Sequence, residues 1–332
     1  MDTEGYRKYL TDREQPVPQE KIGPAIEMVK RFEKFIGKSE RTLESAIGDD
    51  VREFSKILIE EKANTYDNYV ALSRYGYFVK NYDLYLAILE LLDGAEVMVV
   101  LRERLGEVVG EEKRDEVFKD IESPLGLPSA EKPKITKEVM DRMEKLLAPE
   151  DCKKALVGTA HGLPKDWYKQ EREKFLKAKD IDEYLANKRA EIIANLEEHR
   201  DQGKLFYNQM ITDDVVEFIK SRPDVMSGMR DGDKIIHTKI PYMTQEYLDE
   251  KDERKKRYYA CHCAWAREAI MSAELEVPSS FCNCSGGFTV KPWEKALDQP
   301  LEVEIVKSVL KGDMECTFAI QLPKNVVDKV ER

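Results

Sequence analysis

Five of the six cysteines fall between Cys261 and Cys316, and four of these form two pairs separated by one residue, Cys261-His262-Cys263 and Cys282-Asn283-Cys284. Thiols at short, repeated spacing can bind a soft metal such as zinc as thiolates, or act as nucleophiles controlled by their ionisation. A small buried cysteine often packs simply as a hydrophobe, and that reading suits the isolated Cys152. Packing alone does not call for a repeated pair. The expected cofactor is therefore zinc, with Cys261, Cys263, Cys282, Cys284 and Cys316 as metal ligands. If the centre is instead a reactive-thiol pocket, Cys282 and Cys284 are the expected catalytic thiols.

The local backbone decides which pairs can act together. In a helix, Cys261 and Cys263 stand about 200° apart and cannot face one metal; in extended structure both can. His262 between them is a ligand or acid/base candidate, or a histidine turned away from both neighbours. His161, in the run Thr-Ala-His-Gly-Leu-Pro, is a third catalytic candidate if a turn presents its imidazole at a cleft, and a turn-stabilising residue otherwise. Gly286-Gly287 would let backbone N–H groups approach an anion, or would simply make a sharp turn. The aromatics Tyr258, Tyr259, Trp265, Phe281, Phe288 and Trp293 line a pocket or fill a core.

Positioning these residues falls to a chain of 332 residues, enough for two or three domains. With 42% hydrophobic and 36% charged residues, the composition is that of a globular, helix-rich protein. Residues 1–20 are polar and contain Pro16 and Pro18, which predicts a loosely ordered arm. Residues 21–125 predict a helical bundle: Ile22, Ile26, Val29, Phe32 and Ile36 share one face, and Asp49, Thr65 and Asp83 are candidate caps. Pro124, Gly126, Pro128 and Pro133 mark a linker, placed at 126–134. Residues 135–230 predict further helices, with Pro149 at a helix entry, packing on the C-terminal domain.

From 231 to 332 the pattern changes. A turn at Arg230–Asp233 precedes a strand in Lys-Ile-Ile-His-Thr, a helical stretch runs from about Tyr247 to Ala273, and residues 278–288 read as a glycine-containing loop. Pro292 and Trp293 are expected to open a short helix. Two alternating strands around Gly312-Asp313 then form a terminal hairpin. The expected fold is mostly helical α+β, with an N-terminal helical bundle and a Cys-rich C-terminal α+β domain that ends in a β-hairpin.

The segment from Phe281 through Cys282, Gly312-Asp313 and Cys316-Thr317-Phe318 resembles the ligand-binding domain named for the bacteriochlorophyll 4-vinyl reductases. It also resembles a related group of 2-amino-thiazoline-4-carboxylate hydrolases. Zinc-holding members of the first family imply a first cysteine, a glutamate and a cysteine on the strand, and a last cysteine after the Gly-Asp turn. Cys282 and Cys316 match the first and last. Ile305 and Ser308 stand where the two strand ligands would be, so Cys284 and the Cys261/Cys263 pair are the expected substitutes. Residues 31–81 more weakly resemble the core-binding domain of tyrosine recombinases, although residues 1–125 carry more acids than bases and no catalytic Arg/His/Tyr set follows.

The formal net charge of -11 works against attraction to nucleic acid or an anionic membrane. The most apolar run, residues 84–101, is interrupted by Glu90, Asp93 and Glu96, and residues 1–15 lack a signal-peptide pattern, so a cytoplasmic protein is expected. No GxGxxG, P-loop, HExxH or GxSxG motif is present. The expected function is a metal- or thiol-dependent protein that binds or acts on a small molecule, including hydrolysis of a nitrogen- or sulfur-containing compound. The alternative is a non-catalytic sensor with a structural zinc site and a helical bundle that contacts a partner.

Overall fold

The computed structural model describes residues 1–160 and 167–327. The protein is mostly helical with a mixed α+β character, as the periodicity predicts. The chain divides into two compact units: Met1–Ala95 with Glu122–Lys132, and Glu96–Ile121 with Pro133–Arg332. This division differs from an expected boundary at 126–134. Residues 96–121 belong with the second unit because Val97, Met98, Leu101, Leu105 and Val117 enter its core. Residues 122–132 return to the first unit, where the Asn64 side-chain amide donates to the Leu125 carbonyl at 3.0 Å.

The first unit is built from α1 (Thr3–Asp12), α2 (Gln19–Ile36), α3 (Gly48–Glu60), α4 (Tyr66–Phe78) and α5 (Tyr82–Leu92). The expected loose arm is a helix. Its Asp2 carboxylate accepts from the Gly5 N–H at 2.9 Å, and Tyr6 and Leu10, one turn apart, are fully buried. The Tyr6 hydroxyl donates to the Ala71 carbonyl at 2.7 Å, fixing α1 to α4. Thr65 caps α4 as expected, accepting from the Asn68 N–H. Asp49 and Asp83 do not fill the cap positions assigned to them: Asp50 accepts from Ile47 N–H ahead of α3, and Asn81 caps α5.

The second unit continues with α6 (Val97–Val109), α7 (Glu111–Val117), α8 (Lys132–Leu146), α9 (Pro149–Thr159), α10 (Lys169–Lys177) and α11 (Ile181–Gln202). A two-residue hairpin pair, β1 (Leu205–Phe206) and β2 (Gln209–Met210), leads to α12 (Asp213–Ser221). Next come β3 (Met229–Asp231), β4 (Lys234–Thr238), α13 (Thr244–Asp249), α14 (Glu253–Ala260) and α15 (Arg267–Met271). The chain ends with α16 (Asn283–Leu297), β5 (Val303–Lys307), β6 (Thr317–Gln321) and α17 (Lys324–Val327).

Strands β3, β4, β6 and β5 lie in that order in one antiparallel sheet, with Ile235 opposite Ile320 and His237 opposite Phe318. Residues two apart share a face, so Ile235, Phe318 and Ile320 pack with Val303 against Val290, Trp293, Ala296 and Leu297 of α16. On the other face the Thr238 and Thr317 hydroxyls meet at 2.9 Å, a buried cross-strand pair.

Two local expectations are corrected here. Residues 279–297 are a 3-10 turn, Ser279–Cys282, running into α16, not a loop followed by a short helix at Pro292. A Cβ on Gly287 would stand 2.0 Å from the Val157 carbonyl oxygen, so this glycine serves close approach of α9 and α16, not a sharp turn.

Candidate functional site

Helix α14 stops at Ala260, and Cys261 takes an extended backbone (φ -78°, ψ 117°). The chain through Cys263 then runs outside any helix, resuming as α15 at Arg267. The helical alternative, in which Cys261 and Cys263 would point in opposite directions, is thereby removed. Cys282 ends the 3-10 turn ahead of α16, and Cys316 immediately precedes β6. Three separate segments thus deliver four thiols.

Those four share one electrostatic environment. Burial first, and then Cys263 and Cys316, push the Cys261 thiol up. Burial pushes Cys282 well above the ordinary thiol value, with Cys316, Cys261 and Cys263 adding to the effect and a hydrogen bond to Ser308 opposing it. Cys316 is raised by burial too, against the Val309 backbone and the positive charge of Lys239. The consequence is chemical: Cys261, Cys282 and Cys316 are neutral thiols at neutral pH.

Ser308 is the residue that fixes Cys282. It is fully buried, and its Oγ lies 3.2 Å from Cys282 Sγ while accepting from the Leu310 N–H at 3.2 Å. The Gly312-Asp313 turn holds it there. Gly312 adopts φ 103°, and the Asp313 carboxylate accepts from the Ser308 N–H at 2.8 Å. The turn that carried the sequence resemblance is therefore a support for Ser308.

Cys284 is 4% exposed and packs in the apolar core with Leu156, Phe281 and Cys152. His262 lies between its neighbouring thiols in sequence, but its Nε2 is 2.5 Å from the Ile240 carbonyl, which makes that nitrogen the donor. His161 lies outside the described residues. Trp265, Phe281 and Trp293 are core side chains, each no more than 2% exposed.

Two cations missed in the sequence flank the thiols. Lys239, one residue beyond β4, donates from Nζ to Ser285 Oγ at 3.1 Å and lies 5.7 Å from the Phe288 ring centre. Arg267, at the start of α15, is 5% exposed, and its positive charge acts on Cys261. No sequence signal marks Arg267, which stands beside Glu268 in the run from Ala264 to Ala269 that also holds Trp265.

The zinc expectation can be tested against the donor set. Among the described residues, no group of three or more His, Cys, Asp or Glu side chains is placed to hold a metal ion. At the two strand positions, Ile305 packs against the sheet core and Ser308 bonds Cys282. The described residues therefore do not assemble a zinc site. Among them there is also no helix long and apolar enough to cross a membrane. No family model, curated protein or solved structure matches the chain.

Proposed function

We propose that the second unit binds a small molecule at the thiol centre formed by Cys261, Cys263, Cys282 and Cys316. The observation that carries this reading is geometric: Cys263 and Cys316 pack against the apolar cluster that holds buried Cys261 and Val309, and Cys282 Sγ lies 3.2 Å from Ser308 Oγ, next in the chain to Val309. A resting nucleophile requires a thiol whose ionisation is made easier, by a nearby cation or a helix N-terminus. Here burial outweighs the neighbouring cations and keeps the thiols neutral, which supports binding over thiolate-based hydrolysis. Neutral thiols offer a soft, weakly polar surface suited to a small, largely apolar ligand.

The experiment is a melting-temperature screen of small molecules against the full chain. A ligand present at one hundred times its dissociation constant stabilises by about 2.7 kcal/mol, a shift of several degrees for a unit this size. A positive compound should lose its shift in Cys282→Ala and Cys316→Ala. Equal shifts in wild type and both variants would refute the thiol centre. One equivalent of zinc per wild-type chain, lost in the Cys282→Ser, Cys316→Ser double variant, would replace ligand binding with a metal role.

A further inference from the structure

Arg267 combines three features that seldom occur together. Its side chain is nearly fully buried, at 5% residue exposure. Its guanidinium stacks on Tyr242, 4.3 Å from the ring centre, and lies 5.6 Å from that of Tyr258. Its Nε and Nη1 are buried and have no hydrogen-bond partner. Surrounding carbonyls or carboxylates normally satisfy a buried guanidinium, and leaving its donors open costs more than leaving a neutral group open.

The nearest carboxylate does not fill that role. Glu268 Oε1 stands 3.7 Å from Arg267 Nε, beyond hydrogen-bond reach, and already accepts from the Tyr258 hydroxyl at 2.8 Å. Tyr242 is a charge and hydrogen-bond partner of the guanidinium, and Nε and Nη1 are the donors left buried without one. The other cation near the thiols, Lys239, already has a partner in Ser285.

We propose that Arg267 is a binding site for a singly charged oxyanion group, and that this group belongs to the ligand of the neighbouring thiol centre. The proposal rests on the small-molecule reading given above. One charge is the balance that the surroundings favour. Arg267 carries +1 and Glu268 already stands nearby, so a doubly charged group would add repulsion to a site held by one guanidinium. The thiols would meet the softer, less polar part of the same molecule. Arg267 is thus a positioning residue that sets which end of the ligand faces Cys261.

The test uses the full chain and simple salts as probes. Melting temperature is followed at pH 8 in sodium acetate, sodium phosphate and sodium chloride at equal ionic strength. The Arg267-dependent part of the stabilisation, wild type minus Arg267→Gln, should be saturable and larger in acetate than in chloride or in phosphate, which is mostly a dianion at that pH and whose exclusion from the surface stabilises both chains alike. Arg267→Gln should weaken the acetate effect by about ten-fold or more, as expected for loss of a charged hydrogen-bond donor, while Arg267→Lys keeps part of it.

Acetate no better than chloride, or an acetate effect unchanged in Arg267→Gln, would overturn the site. A larger Arg267-dependent stabilisation by phosphate than by acetate would overturn its single-charge assignment. If neither variant folds, phenylglyoxal labelling of the wild-type chain with peptide mapping decides: acetate slows labelling of Arg267 if the proposal holds, and leaves it unchanged if it fails. A thiol-dependent ligand shift that survives failure of the acetate test removes only the Arg267 site.

Discussion

Both units bury phenols, but only the second also buries thiols, and desolvation has different consequences for the two groups. The first unit buries Tyr6, Tyr69 and Tyr75, and burial is the leading cause that raises each phenol. A phenol ordinarily ionises near pH 10, so these groups are neutral at physiological pH with or without burial. The hydroxyls of Tyr6 and Tyr69 serve architecture: Tyr6 donates to the Ala71 carbonyl at 2.7 Å, and Tyr69 meets Ser55 at 2.6 Å, which bonds the Gly126 carbonyl at 2.6 Å. The second unit buries thiols, which ordinarily ionise near pH 8.5 and so hold about a few per cent of reactive thiolate at neutral pH, the fraction that desolvation removes. Burial is inert chemistry in one unit and sets the chemistry of the other.

The largest effects should come from breaking each unit separately at a glycine. A Cβ on Gly287 would collide with the Val157 backbone, which cannot move without parting α9 from α16. Gly287→Ala should cost more than about 3 kcal/mol in the second unit. In the first unit Gly126 adopts φ 84°, and a Cβ there would stand 1.8 Å from the Tyr69 hydroxyl. Gly126→Ala should destabilise that unit to a similar degree. Chemical denaturation read through unit-specific proteolytic peptides should show each variant lowering the midpoint of its own unit. A change confined to the opposite unit would break the comparison.

A smaller effect tests the support beneath Cys282. Ser308→Ala removes the acceptor for Leu310 N–H and the hydroxyl beside Cys282. The expected loss is about 1 to 2 kcal/mol from the denaturation midpoint of the second unit, with no change in the first. No loss would mean that the Ser308 hydroxyl supports neither Leu310 nor Cys282.

The effect that is smallest at neutral pH, and grows only as pH falls, belongs to His237. His237 sits on the core-facing side of β4 with its Nδ1 buried and without a partner, and its pKa is pushed down to about 3 by burial, then by the charges of Lys188 and Lys239, with Asp224 opposing. The unfolded histidine takes up a proton near pH 6.5, while the folded one resists until much lower pH. Above pH 6.5 the residue is neutral in both states. As pH falls from about 6.5 towards 3, the unfolded state binds the extra proton and the second unit loses stability. His237→Gln should flatten this part of the midpoint-against-pH curve relative to wild type. An unchanged slope would show that His237 is not held neutral.

Much of the fold was legible because local periodicity and packing agree. The Ile22-to-Ile36 face, the Thr65 cap, the Pro149 helix entry and the two strands of the terminal hairpin all appear where the residues put them. Residues 279–297 were not legible, because Gly286-Gly287 and Pro292 are local helix breakers whose presence in α16 makes sense only once its neighbours are known. Helix α1 was hidden for a similar reason: two buried residues in a polar stretch carry little periodic signal. Of the candidate site, Cys261, Cys263, Cys282 and Cys316 were visible as a cluster. Spacing alone does not reveal that the first turn of α16 places Cys284 in a core cluster. Arg267 could not be recognised from its sequence neighbours, since its stacking partner Tyr242 lies far along the chain.

The central claim, that burial holds these thiols neutral within one shared centre, is tested most directly by iodoacetamide labelling of the native chain from pH 6.5 to 9, with a rate mapped to each cysteine. The account predicts that Cys261, Cys282 and Cys316 react far more slowly than the same residues in the unfolded chain throughout this range. It is contradicted if any of the three is labelled at pH 7 as fast as, or faster than, its unfolded counterpart.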